Sequence, residues 1–442
     1  MKTIYLQYFF VRILIGFLCL LYPVKGLGQA KSIQPNIILI MADDLGYETL
    51  GCNGGESYNT PYLDSLANGG IRFAQTYAMP LCTPSRVQLM TGKHNYKNYE
   101  RFGYLNPNEK TFANYLQKNG YRTAIAGKWQ LEGDKETPGN FGFDDYMLWQ
   151  LDKGDFWRRF KAPKIIHNGK DLDFPSDSPV YGPDVFTDFI IDFIDNPSKK
   201  PFFVYYPMAL VHDPFQPAPS ASDYENYDAL SMNDTQHFPS MVSYMDGLVG
   251  KIFNHLKAIN ELENTVIIFT GDNGTDRRIT SWFNGNEVQG GKGFATYNGT
   301  HVPLIVFGKD RLQKGAVNNN LVDFTDFLPT LLELSGTEVS DDIETDGISF
   351  FGQLNGDSSL SREVLVSDYN PKGRDFPNAR FVQTIEYKLY GDGRFYAIFK
   401  DAEEQYPLKN LNLNSKERIA LVFLKRHLAK FNAQIEEYRR VN

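Results

Sequence analysis

The sequence predicts an α/β protein. A large, mostly parallel sheet flanked by helices is followed by a smaller C-terminal α+β subdomain with a short antiparallel sheet and a terminal helix. Three observations predict this. Short apolar runs of strand length alternate with helical stretches, as in parallel sheets covered on both faces. Each run stops at a polar, often glycine-bearing turn. Beyond about residue 350 the alternation gives way to hairpin chemistry and one long amphipathic stretch.

In chain order, the first run is Asn36-Ile-Ile-Leu-Ile-Met-Ala42, which stops at Asp43-Asp44-Leu45-Gly46. Residues 61–67 read as a helix, with Thr60 as N-cap and Gly69-Gly70 as its stop. Pro84 suits the first turn of a helix that runs through Arg86 to Thr91 and ends at Gly92. Thr83 is its expected cap, with Cys82 just ahead of it. Residues 111–119 form another helix, closed by Gly120. Residues 121–126 are a strand running into Gly127-Lys128-Trp129. Residues 202–206 precede His212-Asp213-Pro214, and residues 265–270 end at Gly271-Asp272-Asn273-Gly274. Ligands of such sheets gather beyond the carboxyl ends of the strands. Four strand ends here carry a charged or imidazole side chain, which points to one shared site. The tail has alternating runs over residues 380–400 around Gly391-Asp392-Gly393, then a helix over residues 416–438. The expected organisation is a leader over 1–30, a catalytic region over 31–350 and a C-terminal subdomain over 351–442.

The chain has 442 residues, 42% hydrophobic and 22% charged, which suits a large buried core rather than disorder. Its first thirty residues carry Lys2, an apolar stretch broken once by Arg12, and small residues ending in Gly28-Gln29-Ala30. They predict a secretory leader, engaged by the export machinery and cleaved near Ala30. The alternative is a membrane anchor, but the uninterrupted apolar run 13–22 is too short for about 30 Å of hydrocarbon. The mature protein is then periplasmic or secreted, without a stable membrane span. Cleavage removes Lys2, Arg12 and Lys25 and no acid, taking the net charge from −8 to −11. So acidic a surface argues against general nucleic-acid or anionic-membrane binding, though not against a polyanionic substrate at a locally basic site. Cleavage also removes Cys19, leaving Cys52 and Cys82. These two can form one disulfide. Alternatively, Cys82 can act as a nucleophile, because a helix N-terminus favours negative charge.

Cys82-Thr83-Pro84-Ser85-Arg86, with Leu89, Thr91-Gly92 and Lys93, resembles the signature of the type I, formylglycine-dependent sulfatases of the alkaline-phosphatase-like superfamily. The resemblance extends over most of the mature chain, through Met41-Ala-Asp-Asp-Leu-Gly46, Gly127-Lys-Trp129, His212-Asp-Pro-Phe215, Gly271-Asp-Asn-Gly274 and Gly290-Gly-Lys-Gly293. It implies that a maturation enzyme oxidises Cys82 to formylglycine (3-oxoalanine), whose hydrated aldehyde is the nucleophile. One hydroxyl of the hydrate attacks sulfur and the alcohol leaves; collapse of the second expels sulfate. Asp43, Asp44, Asp272 and Asn273 match the family's metal ligands. Such an all-oxygen set suits Ca²⁺, or alternatively Mg²⁺, rather than zinc. The resemblance further implies that Arg86 orients the hydrate, Lys128 and Lys292 hold sulfate oxygens, and His212 protonates the departing alcohol.

Two departures stand out. Relatives often continue Gly-Lys-Trp with His-Leu-Gly, whereas Gln130 stands here and cannot take a proton; it can still donate a hydrogen bond to the hydrate or substrate. His301 precedes Val-Pro where relatives often have arginine, and is a candidate substrate contact with a structural role as the alternative. A sulfated polysaccharide or oligosaccharide is the expected substrate. Arg277, Arg278, Trp282 and the Trp157-Arg158-Arg159 cluster are candidates to read it. The competing functions are a phosphodiesterase or phosphonate hydrolase using the same site, a glycan-binding homologue with impaired catalysis, and a thiol hydrolase.

Overall fold

Asn36–Ala42 is buried at every position, and its alternate side chains enter two different cores. Ile38, Ile40 and Ala42 meet Val204, Tyr206, Ile267 and Phe269 on one face. Ile37, Leu39 and Met41 meet Phe203, Tyr205, Val266 and Ile268 on the other. A strand whose side chains point alternately to two dry faces must be apolar throughout, and that is the physical reason for the unbroken run. Helices Pro61–Gly69, Gly182–Asp195 and Phe238–Ala258 cover the first face. Helices Cys82–Thr91, Phe112–Lys118 and Phe327–Leu334 cover the second.

These elements belong to a computed structural model that describes residues 34–151, 158–309, 311–337, 339–340 and 342–442. The expected leader and Trp157 lie outside the described residues. Among the described residues, no helix is long and apolar enough to cross a membrane.

Among the described residues, the main sheet has eleven strands. Asn36–Ala42 lies between Phe202–Pro207 and Thr265–Gly271, parallel to both. Arg122–Lys128 and Asp145–Trp149 continue the parallel series on one side. On the other, His301–Gly308 runs antiparallel between Thr265–Gly271 and Ile71–Tyr77. A second, four-stranded antiparallel sheet comprises Leu365–Tyr369, Ala379–Gln383, Tyr387–Tyr390 and Phe395–Ala397. The terminal helix Ser415–Val441 packs Leu421 and Leu424 on its Val382, Leu389 and Phe395. Asn414 caps that helix reciprocally with Glu417. Residues 35–442 form one compact unit, and the change of chemistry near residue 350 precedes the second sheet.

Two local expectations are corrected. The helix of the cysteine motif begins at Cys82 itself, with Leu81 as N-cap and no side-chain cap. Proline lacks an N–H that the first turn leaves unpaired anyway, so the helix can start two residues before Pro84. Thr60 does stand at the N-cap of its helix, but its hydroxyl donates to Asp64 at 3.1 Å. Asp246, from a neighbouring helix, accepts the Tyr62 and Leu63 N–H groups at 3.1 and 2.8 Å instead. A tertiary carboxylate has taken over the capping.

Candidate active site

Sheet register builds the site. Ala42 is paired with Gly271, so Asp43 and Asp272 leave adjacent strand ends together. The Asp272 N–H donates to the Ala42 carbonyl at 2.9 Å, and the Asp44 N–H donates to Asp272 Oδ1 at 3.0 Å. Gly274 allows the following turn to close, because a Cβ there would lie 2.0 Å from the Asn298 carbonyl oxygen. Lys128 is the last residue of its strand. Gly127 before it has φ +121, and a Cβ there would lie 2.1 Å from the Pro207 carbonyl oxygen. Only glycine fits between these strands at that bend.

One cluster results. The carboxylates of Asp43, Asp44 and Asp272 offer oxygens that lie within 4.8 Å of one another, and an Asp43 oxygen, the Cys82 sulfur and a His212 ring nitrogen lie within the same 4.8 Å of one another. Arg86 is buried behind them; it donates to Asp272 Oδ2 and to the Lys128 carbonyl, both at 3.0 Å, and lies 3.6 Å from Asp43 Oδ1. Lys128 Nζ donates to Asp43 Oδ2 at 2.6 Å. Lys292 is paired with Asp44 and lies 3.0 Å from His212 Nε2. Asn273 Nδ2 donates to Asp44 Oδ1 at 2.9 Å. Thus Cys82, Arg86, Lys128, His212, Lys292, Asp43, Asp44, Asp272 and Asn273 occupy one place.

The charges explain how the groups titrate. Burial alone would push the Cys82 thiol up, but Lys128, the His212 hydrogen bond and Lys292 outweigh it, lowering it to about 6. The pocket therefore favours negative charge on an atom at position 82. Burial would lower His212, yet the Asp44 carboxylate overcomes it and raises the imidazole to about 9. Asp43 is also buried, but Lys128, His212 and Arg86 hold it well below the usual carboxylate range. Asp272 is pushed up, by burial and then by the charge on Asp43. Two carboxylates this close resist joint ionisation unless more positive charge is supplied.

A divalent cation fits that demand. The donors are buried and all oxygen, and Asp43 Oδ1 and Asn273 Oδ1 are buried acceptors without a hydrogen-bond partner. Buried polar atoms are rarely left so, and here the unmet acceptors sit in the acidic cluster itself.

Other candidates are placed differently. Both Cys52 and Cys82 are free thiols, so the disulfide alternative is not realised. Gln130, two residues after Lys128, has φ +57 and is buried, and its Oε1 has no hydrogen-bond partner among the described residues. His301 is stacked on Tyr47 at 4.0 Å and Tyr77 at 5.1 Å, and its Nε2 meets the Ala74 carbonyl at 3.0 Å. Burial lowers it to about 3. The ring is thus packed among aromatic side chains and bonded to the backbone. Arg159 is buried against Trp149 and lies 3.0 Å from His212 Nδ1, not out on the surface. Arg158 pairs with Asp173, and Arg278 with Asp213 and Asp276, while Trp282 is half exposed on the hairpin strand Thr280–Phe283.

The second sheet supports the Lys292 loop, which sequence reading missed. Tyr369 donates to the Gly293 carbonyl at 3.1 Å and Tyr390 to the Ala295 carbonyl at 2.9 Å. Lys388 also bonds Ala295 and pairs with Glu404 at 2.9 Å, all buried. No short motif marks such residues, because their partners are backbone carbonyls about 75 to 95 positions away. Glu404→Ala should destabilise the protein by about 3–5 kcal/mol by leaving Lys388 buried without its counter-charge. Urea denaturation measures it, and a loss below about 1 kcal/mol would contradict the assignment.

The chain resembles known proteins over the same residues that build this cluster. A family model described as Sulfatase matches residues 35–337. Arylsulfatase A of Homo sapiens is 30% identical over 82% of this chain and 76% of its own length. N-acetylglucosamine-6-O-sulfatase of Bacteroides thetaiotaomicron is 26% identical, over 74% of this chain and 73% of its own. Arylsulfatase J of Mus musculus is 27% identical over 78% of this chain, which spans 60% of that protein. A structure solved with its substrate D-glucosamine-2-N,6-O-disulfate superposes with a TM-score of 0.74 at 23% identity, covering 91% of this chain and 98% of that one, a likeness of fold. The fold, the extent of the family match and the identity to these relatives give one conclusion: the chain belongs to the sulfatase family, sulfuric ester hydrolases of alkaline-phosphatase-like architecture.

Proposed function

We infer that this protein hydrolyses sulfate esters on a sulfated polysaccharide or oligosaccharide, with formylglycine made from Cys82 as nucleophile and a divalent cation in the acidic cluster. The observation that carries the reading is the convergence of Cys82, three carboxylates and the cations Arg86, Lys128 and Lys292 beyond the carboxyl ends of the central strands. The similarity to N-acetylglucosamine-6-O-sulfatase and to an ulvan-active sulfatase of Formosa agariphila supports a glycan rather than a small aryl ester. Asp43, Asp44, Asp272 and Asn273 would hold the cation, Ca²⁺ or the smaller Mg²⁺, which would supply Lewis-acid stabilisation of a sulfate oxygen. The hydrated aldehyde would supply one hydroxyl for sulfur and a second whose collapse expels sulfate.

The remaining work falls to this chain's side chains. Arg86, buried beside residue 82 and held by Asp272, offsets negative charge on the nucleophile. Each ammonium of Lys128 and Lys292 carries three donors, so sulfate oxygens can be bound alongside Asp43 and Asp44. His212, kept protonated by Asp44, has a proton for the departing alcohol. Gln130 supplies an amide on the same turn but no proton. The leader over 1–30 would direct export to the periplasm or beyond the cell, and the maturation enzyme would act on Cys82. The catalytic region is read as 31–350 and the C-terminal subdomain as 351–442.

The test is mass spectrometry across the Cys82 peptide, paired with sulfate release from a panel of sulfated glycans. Oxidised, Ca²⁺-loaded protein should release sulfate and should prefer nitrophenyl sulfate to a nitrophenyl phosphodiester. Such protein binding glycan without releasing sulfate, or full activity from the thiol form, would overturn the reading. His212→Asn should reduce kcat on a sugar sulfate by about 10²–10⁴-fold. The loss on nitrophenyl sulfate should be far smaller, because nitrophenolate leaves without a proton. His212 keeps its proton below its raised pKa and loses it above, so the wild-type rate on sugar sulfates should fall on the alkaline side; the variant should lack that limb.

A further inference from the structure

The strand Leu365–Tyr369 of the second sheet leads into a segment that spans the two walls of the site. Tyr369 bonds the Gly293 carbonyl, next to Lys292. Tyr99, on the opposite wall, donates to the Pro371 carbonyl at 3.3 Å, and Lys372 bonds the Tyr99 carbonyl. Phe376 returns to the first wall. It packs edge-on against Phe294 at 5.7 Å and so closely over Gly293 that a Cβ there would meet its ring at 2.1 Å. Between these anchors stands Arg374, with its guanidinium 4.6 Å from the centre of the Phe102 ring. Gly103, the next residue, donates its N–H to Thr83 Oγ1 at 3.1 Å, directly beside Cys82. Arg374 and Cys82 also act with opposite sign on the same two phenols, Tyr99 and Tyr369. On the far wall Arg277 lies 4.4 Å from the centre of the Phe294 ring.

Both arginines are exposed, and among the described residues neither has a carboxylate partner. Their acidic neighbours are engaged elsewhere or stand apart: Asp276 is taken by Arg278, Glu100 by Asn106, and Asp375 is exposed without an ion pair. In a chain with 53 acids against 45 bases, two guanidiniums without carboxylates on segments that adjoin Cys82 and Lys292 are conspicuous. A guanidinium laid on an aromatic face keeps its edge donors in a fixed plane, ready for a bidentate oxyanion.

We propose that Arg374 on Phe102 and Arg277 on Phe294 are anion subsites flanking the reacting sulfate, so that the substrate is a glycan bearing a second sulfate or a carboxylate near the scissile ester. This rests on the sulfate-ester reading above and adds the charge pattern of the substrate to it. The reacting sulfate is bound by Lys128 and Lys292; the second anion is read by arginines outside that cluster.

The experiment uses matured, Ca²⁺-loaded full-length protein and three esters: nitrophenyl sulfate, a sugar monosulfate, and the same sugar with a second sulfate or within a uronate-containing disaccharide. Wild type should favour a dianionic ester over the monosulfate by about tenfold or more in kcat/KM, chiefly through KM. Arg374→Gln and Arg277→Gln should each shrink that ratio by about tenfold, and added salt should shrink it in wild type. Arg374→Lys, which keeps the charge but not the planar fork, should retain part of the preference. Which dianionic ester responds identifies the second group as sulfate or carboxylate. No preference in wild type, or a ratio unchanged in both glutamine variants, overturns the subsites while leaving the sulfatase reading intact. Wild type that releases sulfate from none of the three overturns the reading beneath it.

Discussion

Cys82→Ala should lower sulfate release by on the order of 10⁴–10⁶-fold, the range expected when a covalent nucleophile is removed from an intact constellation. Cysteine and alanine are close in size. Residue 82 is only 2% exposed, at the first position of a helix closed at Gly92 by a left-handed cap, so the scaffold should survive. The surviving fold is the control: unfolding should shift little while turnover vanishes. Protein isolated with Cys82 still a thiol should be almost as inactive as the variant, although the pocket lowers that thiol to about 6 and so favours its thiolate. A thiolate can attack sulfur once, but the resulting thiosulfate has no second hydroxyl whose collapse would release it. A Cys82→Ala protein that keeps a tenth of wild-type activity would place the nucleophile elsewhere.

Removal of the divalent cation should have the next largest effect, and it should appear in stability as well as rate. Without the ion, Asp43, Asp44 and Asp272 pair directly with Arg86, Lys128, Lys292 and His212. Adding Ca²⁺ at about one hundred times its dissociation constant should stabilise the native protein by about 2.7 kcal/mol, read as a rise in Tm. Chelation should abolish that rise and cut sulfate release by about 10²–10³-fold, the scale of losing one electrostatic stabiliser of the transition state. Asp272→Ala should be worse. It removes the carboxylate 3.0 Å from the buried Arg86, leaves only Asp43 at 3.6 Å, and should cost about 3–5 kcal/mol. This variant should no longer respond to Ca²⁺. Equal Tm and equal turnover in chelated and Ca²⁺-loaded wild type would remove the metal from the account.

The strand ends were legible because parallel strands leave a strong local signature. Four apolar runs followed by Asp, Lys, His and Asp-Asn turns mark the carboxyl ends of the strands; three of the observed strands end at or next to those turns, and Phe202–Pro207 stops five residues before His212. The start of the cysteine helix was misread because a proline is compatible with any of the first-turn positions. Thr60 stands at the expected N-cap, but its side chain does not do the capping. An N-cap residue type says that a helix begins, while Asp246, far away in sequence, decides which group bonds its free N–H donors.

Sequence alone sufficed for the α/β class, the family and the identity of the residues at the cluster, since each depends on local pattern or on short motifs. Only the tertiary structure decided their relations. The register of Ala42 with Gly271 sets the two aspartates side by side, and His301 is stacked between Tyr47 and Tyr77. It is likewise the folded chain that braces the Lys292 loop with Tyr369, Lys388 and Tyr390 and brings Arg374 beside Phe102. The reason is physical: a side chain's charge state and reach depend on what surrounds it in space, and residues hundreds of positions apart leave no joint mark in the order of the chain.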